Sequence, residues 1–375
     1  MGKETLLEKH FAYEKIYGDL LADISSGKLP AGTMLPSELE LAGRYQVSRI
    51  TSRRALTMLA DEGYIIRRPG VGSEVLCRKK QVRTIGLAMA GIDPMFGMDF
   101  IRGVLQEARN QGYLVICQIG YFLTGHEEQH VQELAAAGVQ GIIIIPLYEA
   151  MHCSDTFIGL TKKVPMVFAD REIVGLDVPL VCTDNMMATE KLCRRLYDQG
   201  HRKIAFISSS TNSTAVGQRY KGYRLFCEKM GINGGRPAAF TDVRSILPGM
   251  NRQNVRSRDV SELVRFLREN HSVTAIVAHT YQVGKLVCDA IRQLGYQVPQ
   301  DYSVVCFDAP KRVEEEEWFS HIRQDEFTIG VRAVQCLVRR IEGETVPHMT
   351  YVDSEYVDGK SCARVPDWAE ETEHK

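Results

Sequence analysis

Apolar positions recur with a helical period at the start of the chain. From about residue 84 they gather into short runs separated by helical stretches. Ile16, Tyr17, Leu20, Leu21 and Ile24 stand three and four apart, which predicts a first helix over residues 13–25 with one buried stripe. Gly27 and the turn Pro30-Ala31-Gly32 end it. Ser37 followed by Glu40 has capping-box spacing, in which a hydroxyl and a carboxylate each satisfy an orphan N–H, and it opens a second helix. Ser48 can cap a third. At about 100° per residue the third helix places Arg49, Ile50, Arg53, Arg54 and Thr57 on one arc. Thr51, Ala55, Met58 and Leu59 fall opposite and form the predicted core face. A short glycine-rich hairpin follows, carrying Arg67 and Arg68 on one arm and Gly70 and Gly72 at its tip.

Beyond residue 84 the pattern predicts strands at 85–89, 114–119, 141–146, 164–169 and 180–183, with helices at 100–111 and 127–137. After Asn185 it restarts: a helix to 198, a strand at 203–208, a helix at 220–230, and strands at 275–278 and 303–307 around another helix. Short apolar runs joined by helices are parallel strands covered on both faces, and two successive arrays predict two lobes. The polar stretch 241–259 reads as a loop and the tail beyond 366 as frayed. The expected organisation is a head at 10–77, a linker at 78–83, a body at 84–362 with crossings between lobes near 184, 308 and 324, and a tail at 363–375.

Length and composition agree with this division. A chain of 375 residues exceeds one ordinary core, and 44% hydrophobic with 25% charged residues is the balance of a soluble globular protein. The aliphatic run Ile142–Ile145 is far short of the roughly 20 apolar residues a membrane helix needs, and residues 1–10 lack an apolar signal region, so a cytoplasmic location without membrane partners is expected. Ten cysteines without a C-x-x-C pair read as reduced thiols, with Cys117, Cys182, Cys306 and Cys336 expected in apolar surroundings. The net charge of −1 is uninformative, yet residues 44–80 hold nine basic against three acidic residues. That local excess is the footprint of a phosphate-binding surface.

The head resembles the GntR family of bacterial regulators through Leu35-Pro36-Ser37, Leu41-Ala42, Val47-Ser48-Arg49, Thr51, Arg53, Ala55-Leu56, Leu59, Glu62-Gly63 and Gly70-Val71-Gly72. The resemblance implies a winged helix-turn-helix whose second helix enters the major groove while the wing tip approaches the minor groove. Its expected DNA-binding set is Ser37, Ser48, Arg49, Ile50, Thr51, Arg53, Arg54, Arg67, Arg68, Gly70 and Gly72. Two departures stand out. The wing reads Gly72-Ser73-Glu74-Val75 where the family commonly has Gly-Thr-Phe-Val, so Glu74 is expected to turn away from DNA or weaken that contact. Ile50 at an often polar position is expected to meet a thymine methyl.

The body resembles the LacI/GalR effector domain, itself similar to periplasmic sugar-binding proteins. The residues that carry this are Ile85-Gly86-Leu87, Phe96 with Arg102-Gly103, Gly141-Ile142-Ile143, Asp170-Arg171, Asp184-Asn185, Gly200-His201-Arg202, Gln218-Arg219, Gly222-Tyr223, Val298-Pro299, Phe307-Asp308 and Ile322-Arg323-Gln324. The fold class is therefore α/β, a winged helix-turn-helix domain plus a two-lobed periplasmic-binding-protein-like domain with parallel sheets. The arrangement is similar to that of AraR-type arabinose regulators. Open parallel sheets bind ligands at the carboxyl ends of their strands, where Asp93, Asp170, Asp184 and Asp308 fall. Arg219 is expected at the mouth of the second lobe, where an Arg and Asp pair suits vicinal hydroxyls, and Phe96 or Trp318 can cover a sugar face. The expected effector set is Asp93, Phe96, Asp170, Arg219, His279, Thr280, Asp308, Trp318 and Gln324, with helix capping the competing role for Asp184 and Asp170. His279-Thr280 stands where the family often has Asn-Asp, so the effector is expected to be a modified or unusual sugar-like molecule.

His126-Glu127-Glu128-Gln129-His130 matches the H-E-x-x-H zinc signature and raises a metallohydrolase alternative. No metzincin extension follows, since Ala135, Ala136 and Ala137 occupy that stretch. Neither a Walker A loop, a G-x-S-x-G elbow nor an early G-x-G-x-x-G is present. The expectation is a non-enzyme with no catalytic residues, metal or cofactor. It is a sugar-responsive repressor that binds operator DNA as a homodimer and is released by effector. A corepressor-dependent regulator, whose ligand tightens DNA binding, is the alternative within the same architecture.

Overall fold

The chain divides after Val82 into two units, Met1–Val82 and Arg83–Lys375. The computed structural model describes residues 4–76, 82–92, 96–120, 127–146, 154–209, 213–247, 249–250, 252–310 and 318–365.

In the first unit, α1 (Glu4–Ser25), α2 (Glu38–Tyr45) and α3 (Arg49–Asp61) precede a hairpin of β1 (Ile65–Arg68) and β2 (Gly72–Val75). Tyr13, Ile16 and Leu20 of α1 bury against Leu41, Ala55, Leu56, Leu59, Ile65 and Val75. The helix begins nine residues before the stripe predicted, because periodicity marks the turns that pack and not the turns that merely continue. The capping box is complete: Ser37 Oγ accepts from the Glu40 amide at 3.2 Å, and the Glu40 carboxylate accepts from the Ser37 amide at 2.7 Å. Ser48 Oγ accepts from the Thr51 amide at 3.2 Å and starts α3.

The core face of α3 is Ser52, Ala55, Leu56 and Leu59, not the arc of Thr51, Ala55, Met58 and Leu59. Thr51 and Met58 are half-buried. The helix packs against both α1 and α2, which turns its buried arc toward residues 52 and 56. Ser52 tolerates burial because its hydroxyl donates to the Ser48 carbonyl at 3.3 Å.

The second unit holds two six-stranded sheets. The first runs β4 (Leu114–Ile119), β3 (Thr84–Met89), β5 (Ile142–Ile145), β6 (Met166–Ala169), β7 (Leu180–Thr183), β13 (Met349–Val352), parallel throughout. Helices α4 (Met98–Asn110), α5 (Glu127–Ala136), α6 (Asp155–Thr161) and α11 (Glu326–Ile341) accompany it. The second runs β9 (Ala238–Val243), β8 (Ile204–Ser209), β10 (Ala275–Ala278), β11 (Ser303–Phe307), β12 (Ser320–Gln324), β14 (Ser354–Val357), antiparallel only at β14. Its helices are α7 (Asn185–Asp198), α8 (Thr214–Met230), α9 (Gln253–Glu269) and α10 (Tyr281–Gln293). Strands such as β5 and β10 are buried along their whole length, as helix-covered parallel strands must be.

The chain passes between lobes at Asp184, at Asp325 and at Asp353. The crossing expected near 308 is absent: β11 continues to its parallel neighbour β12 in the same sheet. A strand-end aspartate does not by itself mark a crossing; the next strand's partner decides it. The expected loop 241–259 instead holds the end of β9 and the first part of α9. Both are polar because β9 is an edge strand and α9 buries only a narrow stripe, chiefly Leu263, Val264 and Leu267. Cys117, on edge strand β4, is exposed, whereas Cys182, Cys306 and Cys336 are buried.

Candidate DNA-binding face and ligand cleft

In the first unit one carboxylate organises the basic face. Glu38, the first residue of α2, accepts from Arg49 Nε at 3.0 Å, from Arg53 Nε and Nη2 at 3.0 and 3.2 Å, and from Arg67 Nη2 at 2.5 Å. Arg67 also donates to Thr57 Oγ1 at 3.0 Å. Two guanidinium groups of α3 and one of the wing are thus held side by side. The Arg53 hydrogen bonds, followed by those of Arg49 and Arg67, outweigh desolvation and hold the Glu38 carboxyl at about 2. Sequence reasoning missed Glu38; the available signal was an acid just inside a helix that precedes an arginine-rich one.

Arg54 does not join this group. Its guanidinium lies over the Tyr13 ring of α1, 4.1 Å from the centroid. Arg68 pairs with Glu74 at 3.3 Å across the hairpin, so the wing carboxylate is neutralised by an arginine of the opposite strand. Ser48 Oγ and Thr51 Oγ1 bond each other at 2.8 Å, and with Ser37 they serve helix starts. Gly70 and Gly72 adopt φ of 73° and 132° in the wing turn, conformations that disfavour a side chain. Ile50, next to Arg49 in α3, stands 78% exposed.

In the second unit a cleft of about 310 Å³ opens between the lobes, with Phe96 and Asp99 on one side, Asp308, Arg323 and Gln324 on the other, and Glu326 beside the crossing. Phe96 stacks on Phe100, ring centroids 6.4 Å apart, and the Gly97 amide donates to Glu326 at 2.8 Å. Gln324 Nε2 donates to Asp308 Oδ2 at 2.9 Å.

Asp170 and Asp308 occupy equivalent places in the two lobes. Each follows the fourth strand of its sheet, with φ of 64° and 56°, and each donates its amide to the next strand, to Val181 and Ile322. Left-handed backbone outside glycine is uncommon, and aspartate is among the residues that tolerate it. Asp170 is buried and accepts from Arg171 at 2.9 Å.

Arg219 of α8 is buried, not placed at a lobe mouth. It donates through Nε to Asn185 Oδ1 and through Nη1 to the His279 carbonyl, both at 2.7 Å, and lies 3.8 Å over the Phe307 ring. Burial lowers its pKa, opposed by the charges of Asp308 and Asp170. Burial raises Asp308 to about 7 in spite of Arg219 and Gln324. Burial and then Arg219 press His279 down to about 3, so its ring is neutral. His279 Nε2 lies 3.3 Å from Ser209 Oγ, while His279 Nδ1 and Gln324 Oε1 are buried without a hydrogen-bond partner. Unpaired buried polar atoms are costly and commonly await a ligand or water.

The cleft lining thus includes Phe96, Asp308 and Gln324 from the expected set, with Arg219, His279 and Asp170 buried outside that lining and coupled to it through charge. Asn185, although part of a motif that carries the resemblance, and Glu326 were missed as site residues, because their pairs with Arg219 and with the Gly97 amide join positions far apart in sequence. Two further expected residues, Thr280 and Trp318, lie outside the cleft lining. Thr280 caps α10, accepting from the Val283 amide at 3.4 Å. Trp318 is 43% exposed, edge-on to Phe319 and outside the lining. Asp93 lies outside the described residues. Asp184 caps α7, accepting from the Met187 amide at 2.9 Å. His126 and the Glu127 side chain of the zinc signature also lie outside the described residues. Among the described residues no group of three His, Cys, Asp or Glu is placed to hold a metal ion, and no helix is long and apolar enough to cross a membrane.

Residues 12–75 match the family described as bacterial regulatory proteins, gntR family, and residues 193–362 match the periplasmic binding protein-like domain. The arabinose metabolism transcriptional repressor of Geobacillus stearothermophilus is 25% identical over 354 residues, 92% of this chain and 94% of that protein. The HTH-type transcriptional regulator PtxS of Pseudomonas plecoglossicida is 26% identical over 316 residues, 81% of this chain and 84% of that protein. Among solved structures, the transcription regulator CcpA of Lactococcus lactis superposes with a TM-score of 0.61 at 19% identity, over 75% of this chain and all of that one. The lac repressor dimer bound to operator and an anti-inducer gives the same TM-score and identity over 76% of this chain and 96% of that one.

Proposed function

We propose that this chain, which joins a gntR-family head to a periplasmic binding protein-like body, is a transcriptional repressor that holds operator DNA as a homodimer and releases it when a sugar-class effector occupies the cleft of the body. One observation carries the reading: Arg49, Arg53 and Arg67, from two separate elements, are gathered beside one another by Glu38. Arginines serve groove edges and phosphates, and a preformed group loses less freedom on docking. Two copies would place two heads on half-sites related by a two-fold axis.

The body supports an effector role. Gln324 Oε1 and His279 Nδ1 are buried polar atoms without a hydrogen-bond partner, Asp308 lines the cleft, and Phe96 offers an apolar wall. That combination suits a polyhydroxylated molecule with one apolar face. Closure of the lobes on it would bias the dimer toward a state with altered head spacing. The effector would then bind less tightly to the DNA-bound form, because coupling is reciprocal.

The test is operator binding by full-length protein. Purified protein is expected to retain a small set of genomic duplexes, and one compound among pentoses, hexoses, nucleosides and their phosphates is expected to release them. Asp308→Asn and Gln324→Ala are expected to raise the concentration needed about tenfold or more while leaving ligand-free DNA affinity intact. A protein that shows no preference for any genomic duplex, with or without these compounds, would overturn the proposal.

A further inference from the structure

We infer that Leu39 and Ile50 form an apolar reading patch on the arginine face of the head and select operator half-sites that carry thymine, by packing on the 5-methyl groups thymine presents in the major groove. The inference rests on the proposed DNA-binding role of that face and adds to it which base the face prefers.

Leu39 is 72% exposed and Ile50 78%, the highest values among the large hydrophobic side chains described. Each is the second residue of its helix, Leu39 in α2 and Ile50 in α3. The two helix starts are tied together by Glu38, which precedes Leu39 and binds both Arg49 and Arg53. Leu39 and Ile50 therefore each directly follow a member of the Glu38–Arg49 pair that joins the two helix starts. Neither side chain belongs to the core of the head, which is built from residues such as Ile16, Leu41, Leu56 and Leu59. Large aliphatic groups in water gain free energy only when an apolar partner covers them.

Charge identifies that partner. Cations flank the patch, which suits a polyanion. Aliphatic side chains cannot donate to or accept from base edges, so hydrogen-bond readout of guanine, cytosine or adenine is closed to them. The methyl of thymine is the apolar group that a base pair offers in the major groove. Arg49 and Arg53 are then available for guanine or phosphate, with the aliphatic pair reading the neighbouring steps.

The experiment starts from full-length protein and a random duplex pool, from which bound sequences are selected. Equilibrium affinity is then measured on the selected duplex and on copies with deoxyuridine in place of thymidine, one position at a time. Deoxyuridine pairs identically and lacks the methyl. Loss of about fourfold per methyl is expected at one or two positions per half-site. Leu39→Ala or Ile50→Ala should abolish the deoxyuridine effect at one position each; both residues are exposed, so folding is unaffected, which a thermal melt confirms. Unchanged affinity for every deoxyuridine duplex, or an equal deoxyuridine effect in wild type and both variants, overturns the inference and leaves the DNA-binding role standing. A pool with no enriched sequence overturns both.

Discussion

Glu38 shows how one side chain can set the character of a surface. Its carboxylate draws Arg49, Arg53 and Arg67 together; in the proposed DNA complex each of those pairs would compete with a phosphate or a guanine. Individual exposed pairs are weak, so the loss in head stability on Glu38→Gln is expected to be about 1 kcal/mol. Removal of a negative charge beside a polyanion should raise affinity for random duplex while alignment of the arginines deteriorates. The expected result is a smaller ratio of operator to random-duplex affinity, measured by competition at fixed salt. Since the folded Glu38 titrates near 2 against an ordinary 4.5, its contribution is present above about pH 4.5 and is lost as pH falls toward 2.

Titratable groups of the body carry both signs. His279 and His201 are lowered to about 3 and about 4 from an ordinary 6.5, chiefly by burial. Their neutral rings contribute stability above pH 6.5 that is lost as pH falls through 4 to 3. Asp308, raised from 3.8 to about 7, favours the protonated fold: its contribution is complete below pH 3.8 and is lost as pH rises through 7. Thermal melts from pH 4 to 8 are expected to show a flatter acid limb for His279→Gln. The melting temperature of Asp308→Asn relative to wild type should climb as pH rises from 5 to 8. A gap that stays constant over that range would place Asp308 in contact with water.

At the scale of elements, caps and close crossings decide geometry. Ser48 starts α3 and fixes where Arg49 and Ile50 emerge. Ser48→Ala should cost about 1 kcal/mol of head stability and weaken operator binding in proportion. The crossing of α4 with α11 depends on Gly103 and Gly330. A Cβ at Gly103 would collide with the Phe327 carbonyl oxygen, and one at Gly330 with the Phe100 carbonyl oxygen. Gly103→Ala and Gly330→Ala are each expected to destabilise the body by about 1–3 kcal/mol, read from urea midpoints, despite alanine's better helix propensity. The edge elements explain the misread loop: β9 and α9 present so much polar surface that their period is faint, whereas β5, with four buried isoleucines, was plain.

At the scale of the molecule, the units before and after Val82 have separate cores. Calorimetry of the full chain is expected to show two transitions, with effector shifting only that of the body. A chain truncated to 83–375 should retain the effector-induced shift and lose operator binding. Operator affinity of the intact protein should fall steeply with salt, since phosphate contacts release counterions, and a flat profile would exclude the arginine face as the docking surface.

Sequence alone determined what local chemistry determines. Helix starts with their caps, buried strands with their uninterrupted apolar runs, the basic head and the crossing at 184 were readable because each depends on neighbours a few residues apart. The candidate cleft was legible only in part: Asp308, Gln324 and Phe96 line it, but Arg219 was expected at a mouth and is buried, and Thr280 is a cap. Only the tertiary structure could bring Asn185 and His279 to Arg219, set Asp170 and Asp308 at matching strand ends, and seat Gly103 against Gly330, because those contacts join residues tens to hundreds of positions apart. Burial and charge are sums over such distant neighbours, which is why a pKa near 7 for a carboxyl, or a carboxylate shared by three arginines, appears once the chain has closed on itself.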